Sequence, residues 1–143
     1  MDTPEQTSGL TLHKIHLAHS RFQYLANQDY WEKQFNSIKI GIELDKQPEN
    51  AKLSCKLLIS VIAIDENENE VAAIDVAMRG VFTFEEYAPV DLETFGNINA
   101  PAILYPFIRE HITNISRKGD IKEILLPPIN FVRMFQRKSG EQN

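Results

Sequence analysis

Two long segments with β-type alternation, joined by a short acidic turn, constrain the fold of this chain most. In residues 53–65, Leu53 and every second residue up to Val61 are apolar, while Leu58, Ile62 and Ile64 add apolar side chains to the opposite face. In residues 71–84 the even positions are apolar, namely Ile74, Val76, Met78, Phe82 and Phe84. Because the polar segment 65–70 separates the two runs, the pattern predicts an antiparallel hairpin with one strongly buried face.

Two further strands are predicted before this hairpin. Residues 38–45 alternate strictly, with Ile38, Ile40, Ile42 and Leu44 on one face, and we expect segment 47–50, which contains a proline, to break this strand. In residues 10–25 the apolar phase changes twice along the segment. A strand has a side-chain period of two, so each change predicts a bulge or a bend. One interpretation is a long strand that exposes different faces along its length.

The pattern becomes helical after an irregular stretch at 85–98. Asn99 or Ala100 is the expected cap of a helix that stops at Gly119, with Pro101 in its first turn and Pro106 kinking it. After an apolar crossover at 124–126 and two prolines, a last helix is expected, capped by Asn130 and with Phe131, Met134 and Phe135 on its apolar face. Strands followed by helices predict an α+β fold, a four-stranded antiparallel sheet with two C-terminal helices packed on one face.

Length and composition limit the classes of function. The 143 residues predict one domain at 10–138, preceded by a flexible arm at 1–9 and followed by a short polar tail at 139–143. A net charge of −5 argues against a nucleic-acid binder, whose affinity depends on phosphate neutralisation. The start has no signal-peptide pattern, and no apolar run approaches the roughly 20 residues that span a bilayer. We therefore expect no membrane insertion and a cytoplasmic location.

Catalytic and metal-binding patterns are weak. His13, His16 and His19 do not all point the same way on a strand, so solvent-facing histidines are favoured over a metal site. The turn at 65–70 resembles the start of a calcium loop, but Glu70 stands where such a loop needs glycine. Cys55, the single cysteine, lies on the apolar face of a strand and is expected to be an inert core thiol. We expect no enzymatic activity, no metal and no cofactor.

The distribution of aromatic residues leaves two interpretations open. Tyr30, Trp31 and Phe35 fall in one predicted loop, and Tyr87 and Phe95 in another. Loops are usually polar, so apolar groups there indicate an interaction surface. Alternatively, these side chains fold back as lids on the core.

The C-terminal half carries a specific resemblance. Residues 96–110 read GNINAPAILYPFIRE, in which a proline and an apolar pair precede an aromatic and proline cluster and an Arg-Glu pair. Residues 116–119, SRKG, and 125–131, LLPPINF, continue the match, and 29–31, DYW, and 79–82, RGVF, add weaker pieces upstream. Over residues 10–137 the chain resembles the SecB protein-export chaperone family.

The resemblance implies a homotetramer, assembled as a dimer of dimers, that holds unfolded or precursor polypeptides in apolar surface grooves without ATP. It also implies that the chain is not an enzyme. Such a groove accepts many clients because apolar burial is non-directional. The positions that match the groove segments of the family are Phe22, Tyr24, Trp31, Ile40, Ile42, Leu44, Phe84, Leu126 and Phe131. For the three residues of the second strand, ordinary sheet core is the alternative interpretation.

The resemblance also assigns positions to assembly and to motor docking. The residues matching the tetramer interface are Ile74, Val76, Met78, Leu104, Ile108, Ile112 and Ile115, which are equally compatible with a monomer core. Asp75 matches one acidic position that docks the SecA motor in the family, whereas the other two such positions are His19 and Gln23 here. No cysteine or histidine follows His111, so we expect no metal-binding tail.

The expected function is therefore a cytosolic holdase working in protein export. The nearest alternative is a SecB-like chaperone dedicated to one partner, such as the antitoxin of a toxin–antitoxin system. The others are a structural assembly module whose grooves are filled by its own loops, and an enzyme or small-molecule carrier on the same fold.

Overall fold

Four antiparallel strands and a long C-terminal helical region form the computed structural model, which describes residues 10–25, 35–84 and 91–141. The strands are β1 (Leu10–Tyr24), β2 (Ser37–Glu49), β3 (Lys52–Ile64) and β4 (Glu70–Phe84). Their order in the sheet is β1-β4-β3-β2, so that β1 and β2 lie at opposite edges. This arrangement confirms the predicted α+β class.

The β3–β4 hairpin is the centre of the sheet, as the sequence predicts. The odd-numbered residues of β3 from Leu53 to Val61 are buried, while the even-numbered residues between them are only half-buried. In the connecting turn, the Asp65 Oδ1 atom accepts hydrogen bonds of 2.9 Å from the backbone N–H groups of Asn67 and Asn69. The acidic turn is therefore held by its own carboxylate, as an Asx-type turn.

Two bulges in β1 correct the interpretation that this strand exposes different faces along its length. The register with β4 shifts between Leu12 and Lys14 and again between Leu17 and His19, at the two places where the apolar phase changes. Each shift returns the following apolar residue to the same face, because Leu12, Leu17 and Phe22 all pair with residues of the apolar parity of β4. The bulges are confirmed, but they keep the apolar side chains on one face.

The second strand is longer than predicted. Pro48 does not break β2: it pairs with Leu53 of β3, and the strand continues to Glu49. The chain reverses at Asn50, whose φ is 54°. Proline is tolerated because β2 is an edge strand, in which a missing N–H on the outer side removes no ladder hydrogen bond.

The helical region begins earlier than predicted, at Leu92 instead of near Asn99. A short helix α1 (Leu92–Thr94) leads into a π-helical turn (Phe95–Asn99) and then into α2 (Ala100–Lys118). Asp91 is the cap, accepting hydrogen bonds of 2.8 Å from the backbone N–H and the hydroxyl of Thr94. Asn99 is already helical, with φ −73° and ψ −45°, and makes no side-chain cap. The wider π turn ends two residues before Pro101, which has no N–H for the regular helical pattern.

The predicted end of α2 at Gly119 and the predicted start of the last helix after Asn130 are both confirmed. Pro106 lies inside α2 and does not end it. Gly119 follows the last residue of α2, and Asp120 takes the left-handed conformation with φ 56°. The last helix, α3 (Phe131–Glu141), begins after Asn130, whose Oδ1 accepts a hydrogen bond of 2.9 Å from the Arg133 N–H. It extends past residue 138, and the division into arm, domain and tail stays a prediction.

One core joins the sheet to α2. The residues of α2 at helical spacing that face the sheet are fully buried, namely Leu104, Ile108 and Ile112. They share the core with the apolar faces of β3 and β4, and with Phe35 and Phe95. Phe95 packs edge-on against Phe82 at 4.9 Å between ring centroids. The side chains of Phe35 and Phe95 are therefore part of the core and are not exposed on a loop surface. Within the described residues, none of the helices is both long and apolar enough to cross a membrane.

Candidate functional site

A narrow apolar groove lies between α3 and the strand β2. The helix contributes residues at the spacing i, i+3, i+4 and i+7, and the opposite wall comes from two strands and the π turn. The groove measures about 80 Å³ and is lined by Ile42, Leu44, Leu57, Asn97, Phe131, Met134, Phe135 and Lys138. We call it the β2–α3 groove.

The two walls of this groove differ in how firmly they are held. Phe131, in the first turn of α3, is buried and packs edge-on against Tyr105 at 5.9 Å between ring centroids. Further along the helix, Met134 is 38% exposed. Ile42 and Leu44 of the opposite wall are half-buried. The groove therefore combines an anchored end with apolar side chains that remain accessible from solvent.

The crossover between α2 and α3 is tied to α2 by buried polar groups. The Ser116 Oγ atom accepts a hydrogen bond of 3.1 Å from the Ile124 N–H, and the Thr113 hydroxyl donates to the Ile124 carbonyl at 2.7 Å. The Tyr105 hydroxyl donates to the Pro127 carbonyl, and burial raises the pKa of this phenol. These contacts fix the direction in which successive side chains of the crossover point, so that Leu126 is buried in the core and Leu125 is 66% exposed.

A second, wider groove runs between α2 and the crossover. Its volume is about 580 Å³, and its walls mix apolar, polar and charged residues: Tyr105, Pro106, Arg109, Glu110, Thr113, Asn114, Arg117, Leu125, Pro128 and Ile129. One wall is bordered by an ion pair in which the Arg117 Nε atom lies 2.6 Å from Glu123 Oε1. Because of these charges, this surface is less suited to apolar side chains than the β2–α3 groove.

The structure brings together three of the predicted groove residues, Ile42, Leu44 and Phe131. Ile40 lies on the same face of β2 and is half-buried against the core. Leu126 is fully buried, which corrects its assignment to an open surface, since the hydrogen bonds of the crossover turn it inward. Trp31 lies outside the described residues, as does the side chain of Phe84.

Phe22 and Tyr24 lie at the other edge of the sheet, on β1, so one subunit does not place them in the β2–α3 groove. Their rings pack edge-on at 5.0 Å between centroids. The Tyr24 hydroxyl donates to the Gly119 carbonyl, and a Cβ atom at Gly119 would overlap the ring of Phe22. The pair thus holds the C-terminal end of α2 against β1.

Six of the seven residues predicted for the tetramer interface are buried inside the subunit. Ile74, Val76 and Met78 face Leu104, Ile108 and Ile112 across the core, and Ile115 is half-buried. These side chains are therefore not available on the surface of one subunit. A different set of apolar residues is exposed on the subunit, namely Leu12, Leu17, Ile103 and Phe107.

Two of these four exposed residues lie on β1, and the other two lie on the long helix α2. Leu12 and Leu17 lie on the sheet face that α2 covers, but at the edge strand. Ile103 and Phe107 are spaced four residues apart on α2, in line with His111, whose Nε2 atom lies 3.0 Å from the Ser20 Oγ of β1. We call this set the β1–α2 apolar surface. The two residues on α2 could have been found in the sequence from their i, i+4 spacing. Leu12 and Leu17 differ in parity, and they share a face only because of the bulges in β1.

Asp75, the predicted docking residue, is engaged within the subunit. Its Oδ2 atom lies 2.7 Å from Arg21 Nε and 2.6 Å from Arg21 Nη2. Burial opposes ionisation of Asp75, but hydrogen bonds from Ser60 and Arg21 outweigh it, so the pKa is lowered from 3.8. His19 and Gln23 are exposed on the same sheet face, on β1.

The remaining chemical candidates have structural explanations. His13, His16 and His19 are all exposed on β1, and the described residues contain no cluster of three or more groups that could hold a metal. Burial raises the pKa of the Cys55 thiol to about 11, since the low-dielectric core disfavours the thiolate. Cys55 is therefore an unreactive core residue at neutral pH, as predicted.

Comparison with known proteins identifies the family. The sequence model of the SecB family, described as preprotein translocase subunit SecB, matches residues 4–142. The chain belongs to the SecB family. A protein-export protein SecB of Halorhodospira halophila is 32% identical over 79% of this chain, and the match spans 64% of that relative, slightly less than two thirds of its length. The corresponding protein of Acinetobacter baumannii is 29% identical over 89% of this chain and 84% of its own length.

A solved structure shares the fold. It is the Rv1957 SecB-like chaperone of Mycobacterium tuberculosis, in complex with a ChAD peptide from the Rv1956 HigA1 antitoxin. The TM-score is 0.71 at 12% identity, and the alignment covers 88% of this chain and 94% of the other. At this identity the likeness concerns the fold, and it agrees with the sheet and helices described above.

Proposed function

We propose that this chain is an ATP-independent holdase of the SecB family, which binds unfolded or precursor polypeptides in the β2–α3 groove. The observation that carries the proposal is the groove itself, in which half-buried Ile42 and Leu44 face an amphipathic helix with Met134 on its accessible side. The activity is non-enzymatic and takes place in the cytoplasm, where precursors await export.

The binding mechanism follows from apolar burial at a sheet edge. Side chains of an extended client displace solvent from the groove, which stabilises the complex by about 25 cal/mol per Å² of apolar surface. Because β2 is an edge strand, its outer backbone groups can pair with the client as an added strand. Main-chain pairing is independent of sequence, and Met134 adapts its shape, so many clients are accepted.

An aggregation assay tests this proposal. The protein is expected to slow aggregation of a chemically unfolded polypeptide at stoichiometric ratios and without ATP. Met134→Glu should abolish most of this protection, because it places a charge in the groove. Val132→Glu is the matched control, since Val132 is 45% exposed on α3 but does not line the groove. Absence of protection by the folded wild-type protein would refute the function.

Dedication to one partner is the second candidate function. It is favoured by the Arg21–Asp75 ion pair and by His19 and Gln23, which leave few free carboxylates where the SecA motor would dock. The structural relative that binds an antitoxin peptide offers a precedent for such a role. Capture of client proteins from the source cell, identified by mass spectrometry, decides: many secretory precursors indicate general export, and one protein indicates dedication. Binding of purified SecA would support the export role.

We further propose that subunits assemble through the β1–α2 apolar surface into a homotetramer. Leu12, Leu17, Ile103 and Phe107 are each more than a third exposed in one subunit. Contiguous exposed apolar side chains of this kind mark association surfaces in soluble proteins. Leu12 and Leu17 also lie on an edge strand, which a second copy can protect by pairing.

A further inference from the structure

The sheet face opposite α2, which we call the open face, has an uneven distribution of charge. The strand register places its side chains in transverse rows, one of which joins His16, Arg79, Lys56 and Asp45 across all four strands. The two next rows toward the end of β4 add Lys14 and Lys52. We call the four cations Lys14, Lys52, Lys56 and Arg79 the basic strip.

No residue of the basic strip forms a salt bridge within the described parts of the subunit, although Asp45 and Glu49 of β2 lie opposite Lys56 and Lys52. Arg79 Nη1 donates a hydrogen bond of 2.7 Å to Ser54 Oγ, which carries no charge. Over the described parts of the chain, the ion pairs between side chains are Arg21–Asp75 and Arg117–Glu123, and neither includes a residue of the strip. Because the whole chain has a net charge of −5, this group of cations is a local exception that needs a physical explanation.

An apolar depression adjoins the strip. It measures about 380 Å³ and is lined by Ala18, His19, Lys56, Leu58, Asp75 and Ala77. Its one carboxylate, Asp75, is already paired with Arg21. The depression therefore offers an apolar contact from Leu58, which is half-buried, next to the cation of Lys56, whereas Ala77 is only 1% exposed.

We propose that the open face docks an acidic polypeptide segment, whose carboxylates contact the basic strip while an apolar side chain enters the depression. Charge complementarity of this kind aligns and selects a partner, and the apolar contact adds affinity. The site is separate from the β2–α3 groove, because Ile42, Leu44 and Leu57 lie on the opposite face of the sheet. The protein would thus hold a client and an acidic partner at the same time.

Nucleic acid fits this face less well. A phosphate chain binds through many cations in succession. Here the strip ends at the β2 edge, where Glu43, Asp45 and Glu49 lie on the same face and would repel phosphate. A short acidic peptide can avoid these carboxylates, whereas an extended polyanion crossing the sheet cannot.

Fluorescence anisotropy tests the proposal with a labelled 12-residue peptide of alternating Glu and Leu and its Lys-Leu counterpart. We expect the Glu-Leu peptide to bind more tightly, to weaken as salt is raised, and to lose affinity about tenfold or more in Lys56→Glu/Arg79→Glu. Lys118→Glu/Arg137→Glu is the matched control, with the same charge change on exposed helical positions. Lys14→Glu/Lys52→Glu, at exposed positions, tests the strip without altering the Arg79–Ser54 hydrogen bond.

The same experiment separates the open face from the client groove. Binding of the Glu-Leu peptide should survive Met134→Glu and should not compete with an unfolded client. Loss of binding in Met134→Glu instead of in the strip variants would overturn the proposal, as would equal affinity for the Lys-Leu peptide. Tighter binding of a 20-nucleotide single-stranded DNA than of the peptide would also overturn it.

Discussion

At the scale of single residues, Gly119 shows how one position serves a different purpose from the one its sequence context indicates. The pattern at the end of α2 predicts a glycine that stops the helix. In the structure the left-handed conformation belongs to Asp120, while Gly119 has φ −80°. Glycine is required instead by the close approach of Phe22, which a single sequence cannot reveal because the two residues meet only through the fold.

Gly119→Ala is therefore expected to destabilise the protein by about 1–3 kcal/mol, since the new methyl group must displace the Phe22 ring. Chemical denaturation measures the change in the free energy of unfolding. Gly41→Ala is the control, because its Cβ would meet Ser60 Cβ at an ordinary 3.7 Å. Combining Gly119→Ala with Phe22→Leu should recover part of the loss, and strictly additive effects would contradict the contact.

The pH dependence of stability tests the Arg21–Asp75 pair. The folded pKa of Asp75 is lower than its unfolded value of 3.8. The pair therefore stabilises the folded state above that value, and its contribution disappears as the pH falls through the folded pKa. Arg21 is half-exposed, so Asp75→Asn should cost less than about 1 kcal/mol at pH 7. Unfolding curves of the two proteins should converge below pH 4, and a constant difference down to pH 2 would contradict this explanation.

At the scale of elements, the sequence predicted what depends on local periodicity. The β3–β4 hairpin, the two bulges of β1 and the Asn130 cap are all present where the patterns place them. The helix cap was predicted at Asn99 but lies eight residues earlier, at Asp91, because Pro101 suggested a later first turn, although Asp91 and Thr94 form a recognisable cap. The prediction that Pro48 breaks β2 was wrong because proline is tolerated in an edge strand. Whether a strand lies at an edge depends on the order of strands in the sheet, which the sequence of one strand does not show.

The attachment of the crossover to α2 gives a prediction at this scale. Ser116→Ala removes the acceptor for the buried Ile124 N–H, which should cost about 1–3 kcal/mol. Amide hydrogen exchange should accelerate in residues 124–129 more than in the sheet. Ser20→Ala is the control, since the Ser20–His111 hydrogen bond is exposed. Uniform acceleration across the chain would show that the serine supports the whole fold and not the crossover in particular.

At the scale of the whole molecule, the site was only partly predictable. Ile42, Leu44 and Phe131 share a groove because β2 and α3 pack together, as their apolar faces allow. Phe22 and Tyr24 were expected with them, but the strand order β1-β4-β3-β2 puts them at the far edge. Strand order depends on long-range pairing, which periodicity does not encode. Most residues predicted for the tetramer interface are core residues of the subunit, because apolar periodicity does not distinguish subunit core from subunit contact, and the interface itself stays a prediction.

Assembly provides the prediction that belongs to this scale. Leu17→Glu/Phe107→Glu should shift the proposed tetramer toward smaller species, because two charges would be placed in the β1–α2 apolar surface. Light scattering coupled to size-exclusion chromatography measures the mass, and circular dichroism checks that the fold is kept. Leu125→Glu, at a more exposed leucine outside that surface, should leave the mass unchanged. An unaltered mass in the double variant would assign assembly to another surface.

Site-specific photo-cross-linking to an unfolded client tests the central claim most directly, because it reports where the guest lies and not merely whether aggregation is slowed. A photoreactive phenylalanine derivative is placed at Met134, in the β2–α3 groove, or at Val132, outside it. Strong cross-links from position 134 and weak ones from position 132 are the predicted result. Equal cross-linking from both positions, or none from position 134 in a protein that still prevents aggregation, would place the client elsewhere.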